Sequence, residues 1–88
     1  MNNYFFIEIT DTYGGEANYS WVHRYKIKAA TIRGAIIKFS KYKGYQGRLK
    51  KVMDYGDLTR HDIKGAAICI FTQYFDEYHN QYISLKVI

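Results

Sequence analysis

The sequence predicts a two-layer α+β fold: a mainly antiparallel sheet of four or five strands with one helix packed on one face, in the order β-β-α-β-β. Three observations lead there. Residues 4–10 and 17–29 alternate at a period of two, as half-buried strands do. Residues 32–39 instead repeat apolar side chains at helical spacing. Residues 66–74, AAICIFTQY, form a short apolar, partly β-branched run bounded by Gly65, which suits the most buried strand of a sheet.

In the first strand Phe5, Ile7 and Ile9 share one side, and Tyr4, Phe6, Glu8 and Thr10 the other. The following DTYGGE carries paired glycines suited to a hairpin connection. In the second strand Tyr19, Trp21, His23, Tyr25 and Ile27 form a face expected in the core, with Ser20, Val22, Arg24, Lys26 and Lys28 on a wet one. A slip of one residue would bury three cations, so the register is well specified. Thr31 is suited to cap the helix, whose inner face is Ile32, Ala35, Ile36 and Phe39. Gly44 stands at the C-terminal cap, and Lys41 and Lys43 favour the negative end of the helix dipole.

Residues 45–47 read as a turn and 49–55 as a short strand whose paired lysines suit an exposed edge. Residues 58–63 fit either a strand or a turn of helix. A polar turn over 76–81 leads to a last strand, 82–88, with Ile83, Leu85 and Val87 on one face, placed to pair with its predecessor as a hairpin. One helix does not cover five strands, so part of a sheet face is expected to stay open, available for binding or self-association.

At 88 residues the chain is expected to form one domain with a modest core. It has no proline and shows no linker or internal repeat. The lone Cys69 lies in an apolar run and has no partner for a disulfide, which fits a reducing compartment and a role as buried filler. The N-terminal apolar run is interrupted by Glu8 and lacks a basic leader, so neither secretion nor a membrane is expected; the cytoplasm is the default.

Charge carries the functional signal. The net charge is +5 and the isoelectric point about 9.3. Ten of the thirteen Lys and Arg residues fall within residues 17–53, which contain no Asp or Glu, and six aromatic residues are threaded among them. Cations neutralise phosphate and exposed rings stack on bases, so the pattern suits nucleic acid or another polyanion. The candidate contacts are Arg24, Lys26, Lys28, Lys38, Lys41, Arg48, Lys50 and Lys51, with Tyr42 and Tyr45 as stacking rings. A merely solvated face is the competing explanation. Trp21 belongs by periodicity to the core rather than to such a surface.

Catalysis finds little support. His23, His61 and His79 stand apart with no second ligand at metal spacing. His61 and Asp62 adjoin, yet neighbours on a strand point to opposite faces. Only the folded chain could bring Asp11, Asp57 and Asp62 together. No phosphate loop or nucleophile motif is present, and no enzyme activity, metal or cofactor is expected.

The segments TDTYGGEANYSWV and DYGDLTRHDIKGAAICIF resemble a pattern in short hypothetical proteins encoded by bacterial viruses and prophages. The resemblance implies a small accessory protein in a bacterial cytoplasm. It implies as partner either nucleic acid or a host protein, the latter an enzyme or defence complex inhibited through an acidic surface. A homodimer joined through the open sheet or an edge strand is a further possibility.

Overall fold

The computed structural model describes residues 3–88. Its five strands are β1 (Asn3–Tyr13), β2 (Glu16–Ala29), β3 (Leu49–Asp54), β4 (Leu58–Ile63) and β5 (Ile68–Tyr74), with the helix α1 (Ile32–Lys43) between β2 and β3. All neighbouring strands run antiparallel in the order β2-β1-β5-β4-β3, which confirms the α+β fold. Residues 58–63, ambiguous by pattern, are a strand, and residues 49–54 do lie at a sheet edge.

The chain reaches from one edge of the sheet to the other by way of α1, which lies across one face. Phe5, Ile7 and Ile9 of β1, Ile27 of β2, Ile63 of β4 and Ile70 of β5 meet Ala35 and Phe39 of the helix there. Each large side chain so buried stabilises the fold by roughly 1.5–3 kcal/mol. Thr31 caps the helix by accepting the Gly34 N–H at 3.0 Å. Gly44 ends it in the left-handed region at φ 71°, its N–H donating to the Lys41 carbonyl, as the composition of that turn requires. Gly47 is demanded by a close approach: a Cβ there would stand 2.6 Å from both Ile63 Cγ2 and the Lys64 carbonyl oxygen.

Three expectations are corrected. Residues 82–88 do not pair with β5. A 3₁₀ helix, Glu77–Tyr82, replaces the expected turn and folds the C-terminal segment over the second sheet face. Val87 then forms a parallel bridge with Lys26 on the outer edge of β2, with Ile88 N–H donating to the Lys26 carbonyl. The cause is Phe6. It points away from α1 yet is only 2% exposed, because His79 and Tyr82 stack on its ring at 4.5 and 4.9 Å.

The second correction follows: the sheet face opposite the helix is covered at two places, and only the part between and beside them, with Tyr4, Arg24 and Lys28 exposed, stays open. The C-terminal segment covers it around Phe6, and the β1–β2 hairpin covers its far end. There Arg60, 7% exposed, donates to the Gly15 carbonyl and pairs with Asp62 at 2.9 Å. The buried Cys69 lies on this face opposite Asp62, its thiol pKa raised by burial.

The third correction concerns β2. Only Ile27 and, in part, Tyr25 and Ala29 join the core; Tyr19, Trp21 and His23 are exposed, Trp21 to 37%. α1 packs toward the end of β2 that holds Tyr25 and Ile27, through Phe39, and reaches no farther along it. Beyond it, Asp11 fixes the hairpin by accepting from Asn18, the Ser20 hydroxyl and the Ser20 N–H, while Tyr19 adopts φ 56°.

Candidate functional site: a basic sheet edge and a polar cavity

The strand order separates residues that are close in sequence. β2 and β3 are opposite edges of the sheet, about 19 Å apart at four strand spacings. Lys50 and Lys51 therefore lie on β3, with Arg48 just before it, away from Arg24, Lys26 and Lys28. The ten candidate contacts do not form one groove. Lys51 is also engaged, bonding Asp54 at 2.9 Å. Tyr45 is half-buried, set edge-on to Phe39 at 6.3 Å, and burial raises its pKa, so its ring belongs to the rim of the core.

What remains together is the C-terminal end of β2. Arg24, Lys26 and Lys28 share the sheet face turned away from α1, as the period-two pattern requires. Arg24 pairs with Glu8 of β1 at 3.0 Å and stands over the Tyr82 ring. Lys26 and Lys28 have no carboxylate partner among the described residues. Lys26 Nζ lies 4.2 Å from the centre of the Phe75 ring and 4.9 Å from that of Tyr4, and Lys28 Nζ is 5.8 Å from Tyr4. Around the edge, Lys38 of α1 donates to the carbonyls of Lys28 and Ile88, which brings a third cation beside them. Lys41 and Tyr42 are exposed farther along the helix. Lys43 bonds the Tyr25 hydroxyl, which raises the lysine pKa. A groove of about 340 Å³ between Arg24, Tyr42 and the segment Leu85 to Ile88 continues this surface.

A second concave site escaped sequence reasoning. The first half of α1 and strands β3 and β4 enclose a cavity of about 230 Å³ lined by Arg33, Ile36, Leu49, Lys51, Thr59 and His61, among others. Thr59 is 3% exposed and its Oγ1 has no hydrogen-bond partner; the same is true of the buried His61 Nδ1. Burial, and after it the nearby Lys51, holds the His61 pKa below the usual imidazole value. His61 and Asp62 do face opposite sides of the sheet, His61 toward the helix and Asp62 toward Arg60. Asp11, Asp57 and Asp62 are not gathered: among the described residues no three His, Cys, Asp or Glu side chains are placed to share a metal ion.

No helix among the described residues is long and apolar enough to cross a membrane. Compared with known proteins, the chain matches no family model, no curated protein and no solved structure.

Proposed function

We propose that this protein is a non-enzymatic binder of single-stranded nucleic acid, or of a polyanion like it, and that the end of β2 is its contact surface. The observation that carries the proposal is the gathering of Lys26 and Lys28, which have no carboxylate partner among the described residues, with Lys38, held by the main-chain oxygens of Lys28 and Ile88, at one sheet edge beside the 42% exposed Tyr4 ring and the 59% exposed Tyr42 ring. Lysines held over rings present charge next to a stacking platform, which is the pairing a strand of phosphates and bases needs. Arg24 adds less because Glu8 already answers its charge. Arg48 and Lys50, on the far edge, lie outside this surface. The setting proposed, a bacterial cytoplasm during phage infection or lysogeny, rests on the sequence resemblance alone.

Three phosphate contacts give a slope of log affinity against log salt of about −2 for a single strand. Anisotropy of a labelled oligonucleotide should show that slope. Lys26→Glu combined with Lys28→Glu should lower affinity at least tenfold, while Arg48→Glu with Lys50→Glu should change it little. Parent-like binding by the Lys26/Lys28 variant would reject the surface.

A protein partner is the second reading, favoured by the outer edge of β2 between Asn18 and Arg24. No strand pairs with it there among the described residues, and it presents the exposed Tyr19, Trp21 and His23. Strand addition from a host protein uses such an edge. Purification from nuclease-treated bacterial lysate should then retain one stoichiometric protein, and an empty eluate counts against it.

A further inference from the structure

We propose that the groove between Tyr42 and the C-terminal segment seats one unstacked base of the bound strand, an inference that rests on the single-strand reading above. Tyr25 and Tyr42 line the groove on the side of β2 and α1, Leu85 and Val87 on the side of the C-terminal segment, and Arg24 and Lys86 complete it. Arg24, Tyr42, Lys86 and Val87 are all exposed, so the lining is within reach of a ligand. The Tyr25 and Tyr42 rings meet edge to face at 6.4 Å rather than stacking on one another, which leaves Tyr42 open to a planar partner. Ile88, which also lines the groove, accepts from Lys38 Nζ at 3.2 Å and so joins the groove to the cations that would hold the phosphates.

The chemistry of the lining selects the ligand. It contains no carboxylate, and Lys86 has no carboxylate partner among the described residues. Lys43 adds a further cation, fixed on the Tyr25 hydroxyl at 3.2 Å. The complement is therefore an anion with a flat, largely apolar body, and a base on its phosphate backbone is such a group. The volume of about 340 Å³ equals that of roughly eleven waters, room for a single base with its sugar. An acidic peptide fits less well. A peptide strand would need main-chain partners on this edge, and Ile88 already takes the Lys26 carbonyl and the Lys28 N–H.

Anisotropy with three labelled strands tests the assignment: oligothymidylate, the same strand made wholly abasic, and the abasic strand with one thymine restored. All three should bind with the same salt slope, because their phosphates are the same. The single thymine should raise affinity about fivefold or more over the abasic strand. That gain should vanish in Tyr42→Ala, return in Tyr42→Phe and persist in Tyr4→Ala; both tyrosines are exposed, so neither truncation threatens the fold. Equal affinity of the abasic and single-thymine strands, or a gain that survives Tyr42→Ala, overturns the groove and leaves the cationic surface standing. Oligoglutamate of equal charge binding as tightly as oligothymidylate overturns it too, since charge alone would then suffice. Failure of all three strands to bind rejects the single-strand reading itself, and the groove with it.

Discussion

Phe6 tests the part of the fold that alternation alone does not reveal. Its side chain points away from α1, and on an open sheet face Phe6→Ala would cost little. It is instead 2% exposed, with His79 and Tyr82 stacked on it and Phe75 edge-on at 6.1 Å. Truncating a buried Phe to Ala costs about 3–5 kcal/mol. A chain of 88 residues has about 4–13 kcal/mol of total stability, so the loss is a large fraction of it. With a urea m-value near 1 kcal/mol/M, the midpoint should fall by about 3–5 M. Phe6→Leu, which keeps most of the volume, should stay folded and lose about 1 kcal/mol. Because the C-terminal segment is held down through Phe6, the amide of Lys28, which donates to the Ile88 carbonyl, should also exchange faster. A loss below about 1 kcal/mol for Phe6→Ala, with Lys28 exchange unchanged, would refute the covered face.

Thr72 is fully buried with an unpartnered hydroxyl, so Thr72→Val should raise stability by about 1 kcal/mol in urea melts; a loss would mean that the hydroxyl has a partner. The hydrogen bonds from Ser20, and after it Asn18, lower the Asp11 pKa to about 2. A carboxylate depressed on folding contributes stability that is complete above its unfolded pKa, near 4, and lost as pH falls toward 2. Thermal melts between pH 5 and 2 should show that loss in the parent and less of it in Asp11→Asn, and parallel curves would dismiss Asp11 as the anchor of the hairpin. Gly47→Ala should cost about 2 kcal/mol by equilibrium unfolding, because the new Cβ meets the Lys64 backbone rather than a movable side chain; near-parent stability would show that the loop shifts freely.

Local features of the fold were legible because each is written in neighbouring residues. Thr31 and Gly44 mark the ends of α1 through the capping chemistry of their own turns, and the inward set Ala35, Ile36 and Phe39 follows from helical spacing. The sorting of Phe5, Ile7 and Ile9 from Tyr4, Phe6 and Glu8 follows from the pleat. The fate of each face was not legible. A period of two says that Phe6 and Ile7 diverge, not that a segment more than seventy residues later will cover Phe6. In the same way Trp21 alternates with the correct set but lies beyond the reach of α1, so it stays at the surface. Residues 82–88 have a strand pattern, yet the ring of Phe6 binds Tyr82 and draws the segment away from β5.

The same distinction governs the candidate site. Ten cations within residues 17–53 look like one patch only if the intervening helix returns the chain to the neighbourhood it left. Here α1 crosses the sheet, so Lys26 and Lys50 end on opposite edges with β1, β5 and β4 between them, and charge dense in sequence is divided in space. The cavity is the inverse case. Arg33, Leu49, Lys51, Thr59 and His61 come from three elements with no shared motif, and only the crossover brings them together. One topological choice, placing β3 beside β4 rather than beside β2, therefore both narrows the basic surface to the end of β2 and creates the polar cavity beneath the helix.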